Sequence, residues 1–215
     1  MLVARIYAEE WEIDARLAKF GVTRDELITV VRATLADRSN AVDADPLNAP
    51  GTLAYFSGTR HLRWLFLAKD AKWKIDRERN IESVLDHTTG LKIAYQNVDI
   101  AASDKHPKAI SGKKAGTAKA ITNAQGSLFP PGELPNAIDQ ASVARLNSSI
   151  WYLCVSFDGD EVRAELSLPA SVQNGNFYGF IERIFLVKGG KWADFSIRDG
   201  SDDTPIEFEP KIVRR

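Results

Sequence analysis

The chain has 215 residues, a formal net charge of −1 and a sequence pI near 6.3, which excludes a globally basic nucleic-acid-coating protein and leaves any phosphate contact to a local patch. With 44% hydrophobic and 27% charged residues it has the composition of a globular chain and ample core material. The single cysteine, Cys154, excludes an internal disulfide, and no apolar run approaches the ~18 residues of a membrane span, so the chain is expected to be cytoplasmic, with no membrane contact.

From Leu2 to Phe20, Ile6, Ile13, Leu17 and Phe20 recur at helical intervals and predict an amphipathic helix stopped by Gly21. Thr23-Arg24-Asp25-Glu26 has the pattern of a capping box, and Leu27, Val30, Val31 and Leu35 give a second helix ending near Ala36. Asp43 to Gly51 reads as a loop, followed by a third helix from Thr52 to about Leu67 with Tyr55, Leu62, Leu65 and Phe66 inward and Arg60, His61 and Arg63 decorating it. Two arginines beside an aromatic can contact phosphate, but a solvated helix face is the better reading. Trp73 to Asp76, Ile81 to Leu85 and Leu91 to Val98 read as short strands, the last two joined as a hairpin around Asp86 to Gly90.

Residues 103–136 differ from the sequence on either side. Lys105, His106, Lys108, Lys113, Lys114 and Lys119 occur with no acidic residue between Asp104 and Glu133, amid Gly, Ala, Ser and Thr. This composition predicts a flexible basic linker. Beyond it, Ala137 to Leu146 has weak helical character. Trp151, Leu153, Val155 and Phe157 alternate with smaller residues, Asp158-Gly159 turns the chain, and Val162, Ala164, Leu166 and Leu168 alternate on the return as in a half-buried hairpin. Gln173-Asn174-Gly175 turns again into a strand at Ile181 to Val187, and Gly189-Gly190 permits a further strand at Trp192 to Ile197, with an edge strand possible at Ile206 to Val213. The expected fold is α+β: a helical N-terminal lobe with a small sheet (residues 1–102), the linker (103–136), and an antiparallel β-rich C-terminal lobe (137–215) able to pack with the first.

Within the linker, Gln125-Gly126-Ser127-Leu128-Phe129 resembles the pentapeptide by which bacterial replication and repair proteins dock on the DNA sliding clamp. The resemblance implies that Leu128 and Phe129 fill an apolar pocket on the clamp while Gln125 hydrogen-bonds at its rim; Gly126 stands where the pattern favours a larger residue. The alternative is that Leu128 and Phe129 pin the linker to the core. Lys105, Lys108, Lys113, Lys114 and Lys119 are candidates for phosphate contact, although Ser111 to Thr117 lacks the residue order of a Walker loop. Gly58 to Arg63, the pentapeptide, Trp151 to Leu153 and Arg163 to Pro169 together resemble a group of uncharacterised bacterial proteins over Gly51 to Val187. That resemblance implies no activity.

Signals for catalysis are sparse. His61, His87 and His106 fall in three separate elements, Cys154 lies in a predicted strand, and no pair has metal-ligand spacing. Asp158, Asp160, Glu161, Glu165 and Glu182 could supply a metal-dependent nuclease site, but the lysine of such a motif is missing. Asp199, Asp202 and Asp203 read as a solvated turn. The leading expectation is a non-enzymatic bacterial accessory protein of DNA-processing machinery, from a mobile element in one version, with no cofactor and no metal. Behind it stand a protein-binding inhibitor or adaptor using its sheet surface, and the nuclease.

Overall fold

The computed structural model describes residues 4–110 and 150–190, apart from 174 and 175. In chain order these form β1 (Arg5–Tyr7), α1 (Glu10–Leu17), α2 (Arg24–Arg38), α3 (Ala49–Lys69), β2 (Trp73–Asp76), β3 (Ser83–Asp86), β4 (Lys92–Asn97), β5 (Ile150–Asp158), β6 (Glu161–Gln173) and β7 (Asn176–Val187). The α+β class is as expected. The strands make one seven-stranded mixed sheet in the order β1-β7-β6-β5-β4-β3-β2.

The N-terminal residues depart from the helical reading. Arg5 to Tyr7 lie parallel to Glu182 to Ile184 as an edge strand, Ile6 points outward at 43% exposure, and only Glu10 to Leu17 is α-helical. The helical spacing of Ile6 is coincidental: the open edge of β7 offers Arg5–Tyr7 backbone partners that a short helix lacks. The capping box at Thr23 and Glu26 forms as read, with the Glu26 N–H donating to Thr23 Oγ1 at 3.2 Å and the Thr23 N–H to Glu26 Oε2 at 2.8 Å. Gly21 takes φ +71° to end the preceding turn. The third helix begins at Ala49, earlier than its sequence signal, because Pro50 falls in the first turn, where its missing N–H leaves no bond unmade.

α3 packs over β2, β3 and β4, and α1 and α2 contact β7. The core between helices and sheet is built from Ile13, Leu17, Phe20, Leu27, Val31, Leu62 and Phe66 against Val84, Ile93, Tyr95, Trp151, Leu153 and Leu166. Gly58 lets α3 approach the sheet: a Cβ there would come within 2.4 Å of the Tyr95 ring. The opposite sheet face has its own apolar cluster, including Ala94, Tyr152, Cys154, Phe177 and Phe180, joined by Val98, Ala101 and Ala109.

The strands on the two sides of the expected linker share this sheet. β4 pairs parallel with β5, from Lys92 opposite Ile150 to Asn97 opposite Val155. The β5–β6–β7 hairpins are antiparallel as read, but β4 and β1 add parallel pairs on either side. β6 runs on to Gln173 because Pro169 sits at a register shift between Leu168 and Pro169, where a missing donor is tolerated. Residues 103–110, read as the start of a flexible linker, are instead tied to the sheet: Val98 bridges Ala109, and Pro107 and Ala109 are buried. The strands expected at 192–197 and 206–213 and the weak helix at 137–146 lie outside the described residues.

Candidate functional site

The segment that follows β4 is held by a buried ion pair. Glu165 and Ser167, two residues apart on β6, point to the same sheet face, and Arg183 of β7 lies opposite Ser167. Arg183 Nε donates to Glu165 Oε1 at 2.9 Å and Nη2 to Oε2 at 2.6 Å, with the two side chains 1% and 0% exposed. Ser167 Oγ donates to Oε1 at 2.6 Å, the Ala102 N–H to Oε2 at 2.5 Å, and Arg183 Nη1 to the Ser103 carbonyl at 2.9 Å. Phe180 and Phe185 place their rings 5.7 and 4.8 Å from the guanidinium carbon. The pair therefore grips the backbone at Ala102, which takes the strained left-handed φ of +44°, and at Ser103.

This geometry governs what the carboxylates can do. Four donors occupy Glu165, so it has no lone pair directed at a metal or substrate. Glu182 faces the other side of the sheet and accepts from Arg16 Nε at 2.7 Å, Glu161 pairs with Arg163 at 2.6 Å, and Asp158 and Asp160 lie exposed in the β5–β6 turn. Among the described residues no three His, Cys, Asp or Glu side chains converge as a metal-ligand set. The histidines stay apart: His61 bonds to Ser57 on α3, His87 to the Lys72 carbonyl, and His106 packs edge-on to Phe180. Cys154 is fully buried in the second apolar cluster.

Of the predicted phosphate-contacting lysines, Lys105 and Lys108 are exposed on the segment anchored by Glu165 and Arg183. The Lys108 backbone is fixed, its N–H donating to Asp99 Oδ1 at 2.7 Å and its carbonyl accepting from the Asp99 N–H at 2.9 Å. Lys113, Lys114 and Lys119, and the docking residues Gln125, Leu128 and Phe129, lie outside the described residues.

A second surface lies on the helix face around Arg60, which the sequence reads as solvated. The outward arc of α3 carries Phe56, Arg60, Trp64 and Leu67, with Phe56 and Trp64 each 56% exposed and Leu67 37%. The His61 ring braces Trp64 edge-on at a centroid distance of 5.0 Å. Arg63, one of the basic residues noted on this helix, points away into a bond with Glu82 and the Asp76 carbonyl. The signal that marks the arc is that Phe56 and Trp64 fall off the inward helical period set by Leu62 and Phe66. A cleft of about 420 Å³ also opens beside the start of α2, lined by Glu10, Asp14, Arg24 and Asp25. Its charges are mixed, and the Arg24 Nε is committed to the Leu186 carbonyl at 2.9 Å.

Compared with known proteins, the chain matches no family model, no curated protein and no solved structure.

Proposed function

We propose that the protein is a non-catalytic accessory protein that docks on DNA-processing machinery. Gln125, Leu128 and Phe129 are the docking residues, and Lys105, Lys108, Lys113, Lys114 and Lys119 contact nearby phosphate. The observation that carries this reading is the crossing between β4 and β5. The Ile110 N–H bonds to the Asn97 carbonyl, at the far end of β4, while β5 begins at Ile150 beside Lys92. The crossing therefore spans one strand length, about 20 Å at ~3.3 Å per residue. Residues 111–149 have a contour of more than ~100 Å at the same rise. The pentapeptide lies near the middle of these residues in sequence, well removed from both ends of the crossing.

The exposed Lys105 and Lys108 lead into this connection and put positive charge at its root. Burial of Leu128 and Phe129 on a partner contributes about 1.5–3 kcal/mol each before the ordering of the connection is subtracted, so the affinity these two side chains supply is modest, no tighter than roughly tens of micromolar. Titration calorimetry against a purified bacterial sliding clamp tests the reading. Binding by the wild type that disappears in a Leu128→Ala/Phe129→Ala variant is the expected result; no binding by either form removes the clamp as partner. A second reading, an adaptor that binds through its folded body, is favoured by the α3 surface.

A further inference from the structure

We infer that the outward face of α3 is a docking surface for an amphipathic helix of another protein that presents an acidic residue to Arg60. Phe56, Arg60, Trp64 and Leu67 follow one another at spacings of four, four and three residues, so they form one continuous stripe along about three turns, roughly 16 Å. Large exposed apolar side chains scattered singly are ordinary, but two aromatics and a leucine aligned on one helix face match the anchors by which helices pack in one another's grooves. Trp64 is braced edge-on by His61 one turn earlier, so this anchor is held in place before a partner arrives.

Charge identifies the occupant. The helix from Ala49 to Lys69 contains Arg60, Arg63 and Lys69 and no acidic residue. Arg63 is bound to Glu82 and Lys69 to Glu26, which leaves Arg60, whose contact with Asp37 is long at 3.9 Å and solvent-exposed, as the cation facing outward from the stripe. Arg60 sits between Phe56 and Trp64. In an antiparallel pairing of two copies centred on that position the two Arg60 side chains would oppose each other, which disfavours self-association through this face. Nucleic acid is disfavoured as well, because binding of that kind draws on several phosphate contacts and the stripe supplies one outward cation. An acidic residue flanked by apolar ones, on a helix of three turns or more, satisfies both the stripe and its charge.

The test uses the full chain and two fluorescently labelled helical peptides of about 18 residues, identical in their leucine stripe but carrying Glu in one and Lys in the other at the position facing Arg60. Anisotropy titration is expected to show the Glu peptide binding several-fold more tightly than the Lys peptide, and a loss of about tenfold or more in a Phe56→Ala/Trp64→Ala variant. An Arg60→Glu variant is expected to reverse the preference, a result that loss of folding cannot produce. Equal binding of the two peptides, or binding indifferent to Phe56 and Trp64, overturns the inference. So does tight binding of an oligo-dT strand or concentration-dependent dimerisation in light scattering, if either is abolished by the same double variant, since the face would then belong to nucleic acid or to a second copy.

Discussion

Asp86 shows how one side chain fixes a turn and links the fold to pH. Its Oδ1 accepts from the Thr88 N–H at 2.9 Å and the Thr88 hydroxyl at 2.6 Å, and its Oδ2 lies 3.2 Å from Lys72 Nζ. Burial pulls this carboxyl upward, but hydrogen bonds from Thr88, Lys72 and Thr89 outweigh it and hold the group at about 2, against an ordinary 3.8. A depressed carboxylate stabilises the fold above its unfolded value and loses that contribution as pH falls through the folded one. Asp86 therefore supplies roughly 2 kcal/mol at neutral pH that disappears between about pH 4 and pH 2. Urea unfolding at pH 6 and pH 2 should show the wild type losing about that much more stability than Asp86→Asn; equal losses would mean that Asp86 does not carry the effect. The turn itself was legible from Asp86 to Gly90, because its residues signal it locally. The Lys72 contact was not, since it depends on the pairing of β2 with β3.

At the scale of elements, what could be read from the chain was what short-range chemistry specifies. The Thr23–Glu26 capping box, the inward period of α3 and the Asp158-Gly159 hairpin all appear where their residues place them. What could not be read depends on a distant partner. β1 exists because β7 leaves an open edge, and Arg5–Tyr7 carry no strand signal strong enough to override the helical spacing around them. Likewise, residues 103–110 have a linker's composition, but the donors and acceptors that hold them come from β6 and β7. Glu165 was picked out as a possible catalytic carboxylate and Arg183 was overlooked, since only the pairing of the strands brings them together. Removing the charge of Glu165 leaves Arg183 buried beside an incomplete partner, a change that costs about 3–5 kcal/mol. Glu165→Gln is therefore expected to destabilise by that order in urea, and hydrogen exchange should show the Ala102 amide, which donates to Glu165, losing protection first. Unchanged protection at Ala102 would separate the ion pair from the anchoring of this segment.

For the whole molecule, the strands of two expected lobes belong to one mixed sheet in which parallel β4 and β5 are neighbours. The α+β class was legible from helices followed by short strands, whereas the joining of the strands into one sheet is a long-range pairing that no local pattern announces. The binding surfaces were legible unequally. The basic residues and the pentapeptide stand out by composition, while the α3 face emerges only once the inward side of that helix is known. The proposed docking role requires that Leu128 and Phe129 be free for a partner rather than spent on the protein's own core. Equilibrium urea unfolding of the wild type and of Leu128→Ala/Phe129→Ala measures this directly. If the two side chains are reserved for docking, stability should agree to within about 0.5 kcal/mol. A loss of several kcal/mol, as expected for truncating a buried Leu and Phe, would contradict the docking role and show that they hold the chain to its own core.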